Sequence, residues 1–146
     1  PRHLPHIEEL LQEFPTLRAV VDHAAKPDIR GGVLEPWKSG IARIASFPKV
    51  MCKLSGLITE ADHDNWTPDD LKPYVHHVID VFGVDRVMFG SDWPVCLLAG
   101  SYRDVIEALT ATLPEELSED DRSKIFGKNA ARFYQLGKQE SEVAEA

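Results

Sequence analysis

Residues 86–94 read Arg86-Val87-Met88-Phe89-Gly90-Ser91-Asp92-Trp93-Pro94, a short apolar run that stops at a serine and an aspartate. Runs of this length, rich in β-branched and aromatic residues and bounded by Gly and Pro, form strands. Two more lie upstream. Leu17 to His23 (LRAVVDH) ends in Asp22-His23, and Lys49 to Ser55 (KVMCKLS) ends in Lys53-Leu54-Ser55 before Gly56. Strands that are apolar on both faces belong to a parallel sheet covered by helices.

Helical patterns fill the intervals. Leu4, Ile7, Leu11 and Phe14 predict a helix over residues 2–14, stopped by Pro15. Trp37, Ile41, Ile44 and Ala45 predict a second from Pro36 to about Phe47. Thr67-Pro68-Asp69-Asp70 opens a third, with a capping residue, a first-turn proline and acids where the helix dipole favours them. Its apolar stripe is Leu71, Tyr74, Val75, Val78, Ile79 and Phe82, and Gly83 can end it. Tyr102, Val105, Ile106 and Leu109 mark a fourth. Ser118 can cap a short one to Phe126, and Asn129 the last, with Phe133 and Tyr134 inward. The order α-β-α-β-α-β-α-α-α is that of an α/β fold, either a doubly wound sheet or part of a (β/α)8 barrel. A closed barrel takes roughly 250 residues. With 146 residues and a start at Pro1 rather than Met, the chain is expected to be part of something longer. Residues 1–137 are expected to form the partial domain, and the polar tail from Lys138 to be disordered.

Composition narrows the partners. Sixteen Lys and Arg stand against 24 Asp and Glu, a net charge of −8, which argues against a nucleic-acid binder because little would neutralise phosphates. No apolar stretch is long enough to cross a bilayer, and no signal-peptide pattern opens the chain. Cys52 and Cys96 make neither a disulfide framework nor a CxxC metal motif, so a reducing, cytoplasmic setting is expected.

In parallel sheets ligands bind at the C-terminal ends of the strands, where Asp22-His23, Lys53-Leu54-Ser55 and Ser91-Asp92 fall. Alternation puts Ala19, Val21 and His23 on one face of the first strand and Met88, Gly90 and Asp92 on one face of the third. If both rows face inward, His23 and Asp92 meet at the rim of one cavity. Strand-end Asp and His also serve turns, but two at equivalent tips favour a site. Lys53 shares a face with Ser55, with the inner face left open. Trp93 either lines a pocket or wedges its loop. His63, His76 and His77 read as loop and boundary residues.

Four blocks then carry a resemblance: Val21-Asp22-His23-Ala24-Ala25-Lys26-Pro27; Cys52-Lys53-Leu54-Ser55-Gly56 with Glu60-Ala61-Asp62; Met88-Phe89-Gly90-Ser91-Asp92-Trp93-Pro94; and Gly127-Lys128-Asn129-Ala130. In this order they resemble the C-terminal half of the amidohydrolase-related family, in its sugar-lactonase branch, over residues 1 to about 136. Arg2-His3-Leu4-Pro5 is similar to the segment after strand five there.

The resemblance implies that the three strands are strands six to eight of a (β/α)8 TIM barrel. It implies catalytic roles for Asp92 and His23, the first taking a proton from the hydrolytic water, the second binding metal or substrate. Lys26, Lys53, Ser55 and Trp93 are the expected substrate contacts, and the substrate class is a small sugar lactone. The strand-one His-x-His pair of the family lies outside this chain and the sugar-lactonase branch varies in whether it needs a metal, so no metal ligand is assigned and the cofactor, a divalent metal such as zinc or none, stays open for the full-length protein. The missing N-terminal half of the barrel is the expected partner, without which the fragment is expected to be inactive. Decarboxylation and amide hydrolysis are the alternative reactions of the same superfamily.

Overall fold

The computed structural model describes residues 1–136; the tail expected from Lys138 lies outside the described residues. Its centre is a three-stranded parallel sheet in the order β1 (Ala19–Val21), β2 (Val50–Leu54), β3 (Val87–Phe89). Each strand falls within the predicted run and is shorter at both ends. Helices α1 (Leu4–Glu13), α2 (Trp37–Ala45), α3 (Pro68–Phe82) and α4 (Tyr102–Thr112) alternate with or follow them. A short α5 (Glu119–Ser123) runs through a π-helical turn, Lys124–Lys128, into α6 (Asn129–Tyr134). The expected α/β order holds, and no helix among the described residues is long and apolar enough to cross a membrane.

Register decides which side chains share a face. Val21 pairs with Cys52 and Cys52 with Val87, while Lys53 pairs with Met88 and Leu54 with Phe89. The row Val21, Cys52, Leu54 and Val87 is buried in the core beneath the helices, with Ile41, Ile44, Val75 and Val78. The opposite face carries Met51, Lys53 and Met88. All six residues of the predicted α3 stripe are buried, as the helical spacing requires. Helix α1 lies close on α2 because residue 40 is glycine: a β-carbon there would stand 2.9 Å from Leu4 Cδ1.

Helix α4 starts at Tyr102 as predicted and buries Val105, Ala108, Leu109 and Thr112, with Tyr102 itself exposed. Two expectations at the last helix are corrected. Tyr134 is exposed. Asn129 does not cap a new helix, because the π-helical turn carries the chain straight into α6. Its side chain is instead fully buried, and Nδ2 donates to the carbonyls of Val84 and Val87, both at 2.8 Å.

Arg86 holds the N-terminal side of the sheet. Its Nε donates to Phe82 O at 2.9 Å, and its Nη1 to Ala45 O, Phe47 O and Val50 O at 2.9–3.2 Å. These carbonyls belong to the end of α3, the end of α2 with the turn after it, and the start of β2; the last turn of a helix leaves acceptors without partners. Burial lowers the guanidinium pKa. Arg86→Met is expected to lower unfolding stability by about 3 kcal/mol, because a charged donor is lost and the acceptors stay behind. Urea denaturation of the two proteins checks it; a loss under about 0.5 kcal/mol, the range of a neutral surface change, would contradict it.

Candidate active site

The chain leaves β1 by bending sharply. Asp22–Ala25 form a short 3₁₀ segment in which His23 (φ 50°, ψ 39°) and Ala24 (φ 45°, ψ 30°) take left-handed conformations. Asp92, three residues past β3, also has a positive φ of 56°. The face alternation expected for these tips therefore does not apply. Val21 lies in the row of Val87, not of Met88, so the rows of Val21 and Met88 are on opposite faces. His23 reaches Asp92 because the strand has already ended, and the left-handed turn redirects its ring.

The two side chains converge nonetheless. His23 Nε2 is 3.7 Å from Asp92 Oδ1 and 3.9 Å from Asp22 Oδ2. Neither distance is a hydrogen bond, but 3.7 Å is short enough for one oxygen atom at ~2.8 Å from each to bridge His23 and Asp92. His23 Nδ1 and Ser55 Oγ are 2.8 Å apart, and Ser55 is only 2% exposed. Which one donates follows from the imidazole tautomer: a Ser55 hydroxyl donating to Nδ1 leaves the proton on Nε2, facing Asp92. The Asp92 side chain is 11% exposed, and Thr59 Oγ1 lies 3.4 Å from its Oδ2. Thr59 is better placed to donate to Gly56 O at 2.8 Å, so Asp92 is lightly held.

Both lysines expected as substrate contacts are paired. Lys53 Nζ lies 2.7 Å from Asp22 Oδ1, and Lys26 Nζ lies 2.6 Å from Glu60 Oε1. Burial lowers the Lys53 ammonium pKa, but the hydrogen bond and charge of Asp22, together with Tyr134, more than offset it and the net shift is upward. The hydrogen bond that Lys26 donates to Glu60 raises the lysine's own pKa. Trp93 is 64% exposed beside Asp92, so it does not wedge its loop. Asp22 was not among the expected site residues. What finds it is the register: in a parallel pair with Val21 opposite Cys52, the next residue falls beside Lys53.

Other candidates fall away from the centre. His63 Nε2 returns to Thr59 O, His76 Nε2 bonds to Thr112 O and His77 Nε2 to Lys38 O, at 2.9–3.0 Å. The last two tie α3 to α4 and to the start of α2. Cys52 and Cys96 are buried and free, and desolvation pushes the Cys52 thiol upward, away from thiolate chemistry. A catalytic zinc takes about three protein ligands. His23 and Asp92 offer two, and among the described residues no group of three His, Cys, Asp or Glu could hold a metal ion. The residues present do not fit a complete metal centre.

A cavity of about 580 Å³ opens between α1 and the edge of β1 that is unpaired among the described residues, and is lined by His23, Asp22, Lys26, Val20 and His3 among others. With that geometry in view, the match to the amidohydrolase family model over residues 1–136 covers every element described. The chain belongs to the amidohydrolase family. This amidohydrolase-family chain is 44% identical over 141 residues to an L-fucono-1,5-lactonase of Burkholderia ambifaria, covering 93% of the chain and 48% of that protein. It is 38% identical over 147 residues to an L-fucono-1,5-lactonase of Burkholderia multivorans, covering 92% and 49%. A crystal structure of an amidohydrolase from Burkholderia multivorans with bound zinc superposes with a TM-score of 0.87 at 38% identity, over 92% of this chain and 50% of that one. The chain spans about half the length of the curated relatives it matches.

Proposed function

We propose that the protein to which this chain belongs opens a small sugar lactone with water, in a barrel pocket whose sixth, seventh and eighth strands are β1, β2 and β3. The observation that carries this reading is the convergence of His23 and Asp92, 3.7 Å apart, at the C-terminal ends of two strands with Ser55 of the third behind them. The names of its lactonase relatives support the substrate class.

Each residue then has a task. Water bound in the gap gives a proton to Asp92 as its oxygen bonds to the lactone carbonyl carbon. The Nε2–H of His23, fixed by Ser55 at Nδ1, donates to the oxyanion that develops on the carbonyl oxygen. As the tetrahedral species collapses, the ring C–O bond breaks and Asp92 returns its proton to the departing alkoxide. The product is an open hydroxy acid. Ser55 is sealed behind the ring and acts by holding it. The Lys53–Asp22 and Lys26–Glu60 pairs each offer donors and acceptors together, which suits a polyhydroxylated ring, and Trp93 offers an aromatic face. The missing strands would cover the open edge of β1 and complete the pocket.

The test is direct. The full-length protein given L-fucono-1,5-lactone at neutral pH is expected to release one proton per turnover in a pH-stat, well above the uncatalysed rate. No acceleration with any sugar lactone would overturn the reading.

A further inference from the structure

The two groups that meet in this site come from separate loops, and their approach is permitted by two missing side chains. Gly56, buried and directly after Ser55, has φ +62°. A β-carbon on it would stand 3.0 Å from Asp92 Oδ2, 3.2 Å from His23 Nδ1 and 3.4 Å from His23 Cβ. A methyl group there would press on the imidazole and the carboxylate together, from the side of Nδ1 and Oδ2, and so disturb the Nε2–Oδ1 approach. Gly90, directly after β3, plays a matching part. A β-carbon there would stand 2.8 Å from Ser55 Cβ, 2.8 Å from Lys53 Cδ and 3.0 Å from Lys53 Cγ. Ser55 is the residue that holds His23, and Lys53 is the partner of Asp22.

We infer that Gly56 and Gly90 are positioning residues: by leaving out a β-carbon they let Ser55 and His23 seat against Asp92 in the reacting geometry. The inference rests on reading His23 and Asp92 as the reacting pair. Gly56 acts on both partners at once, and Gly90 acts through Ser55. A generic need for glycine at a left-handed position does not account for this. Gly83 has φ +71° and nothing within 4 Å of its would-be β-carbon, so it too demands a positive φ, but with no contact at all. It is the natural control.

The experiment compares Gly56→Ala, Gly90→Ala and Gly83→Ala in the full-length protein. Gly56→Ala and Gly83→Ala both put a β-carbon at a positive φ and are each expected to lower the thermal midpoint. Gly83→Ala is expected to keep kcat. Gly56→Ala and Gly90→Ala are expected to lose kcat on the order of 100-fold with a much smaller change in KM, as misplacing a reacting group by about 1 Å does. A second readout does not need turnover. The ring resonances of His23, assigned by their loss in His23→Gln, are expected to move in Gly56→Ala and Gly90→Ala and to stay in place in Gly83→Ala. Should Gly56→Ala not fold, Gly90→Ala decides the matter, since Gly90 is not in the left-handed region. If the unsubstituted protein opens no lactone, the lactonase reading fails and the His23 resonances still decide this one. If it does turn over, and both variants match Gly83→Ala in kcat with the resonances unmoved, the inference is overturned.

Discussion

Asp92→Asn in the full-length protein is expected to lower kcat for lactone opening on the order of 1,000-fold, the scale of a lost general base. The amide has the shape of the carboxylate but cannot accept the proton of the attacking water, nor return it to the alkoxide. KM is expected to change little, since the lactone would be held by groups around the gap. The fold is expected to be spared. Thr59 is the hydrogen-bonding neighbour of the Asp92 side chain, at 3.4 Å, and its hydroxyl has a better acceptor in Gly56 O. Stability should therefore shift within about 0.5 kcal/mol. Initial rates together with a thermal melt check both halves of the expectation. A rate within about tenfold of the parent would mean that another group takes the proton, because a factor of ten is only about 1.4 kcal/mol of barrier.

The sequence made the fold legible where periodicity is strong. The α3 stripe from Leu71 to Phe82 is buried residue for residue, and each strand lies within its apolar run. The tips carry His23 and Asp92 as expected, yet the route differs. Alternation is a property of extended backbone, and β1 is extended for three residues only, so the rule could not reach His23. The left-handed turn at His23 and Ala24 has no glycine to announce it. Lys26 and Lys53 were legible as cations at the mouth, but their partners Glu60 and Asp22 come from other loops, and only the register brings Asp22 beside Lys53. Gly56 and Gly90 were visible as letters in two motifs. What each would collide with is a matter of tertiary distance that no spacing encodes.

The Gly127-Lys128-Asn129-Ala130 block shows the same division, because its asparagine serves the frame and stands apart from the reacting groups. Asn129 is fully buried, donates from Nδ2 to Val84 O and Val87 O, and accepts at Oδ1 from Arg132 Nη2 at 3.2 Å. The two carbonyls lie where the chain enters β3. Asn129→Asp is expected to destabilise the protein by about 4 kcal/mol at pH 7, since a buried carboxylate oxygen would face two carbonyl oxygens in place of two N–H bonds. Asn129→Leu removes the donors without adding charge and is expected to cost about 2 kcal/mol. The two losses should also differ in pH dependence. The new carboxyl, unable to ionise comfortably there, would have a folded-state pKa raised above its unfolded value of about 3.9. Its neutral form therefore holds stability that is fully present below that unfolded value and is lost as pH rises through the folded one. The deficit of Asn129→Asp should be smallest near pH 4 and complete at neutral pH, whereas that of Asn129→Leu should stay flat. Urea midpoints at both pH values distinguish them. An Asp variant with a flat deficit would mean that Arg132 pairs the new charge fully, and that the carbonyls of Val84 and Val87 do not decide the residue at this position.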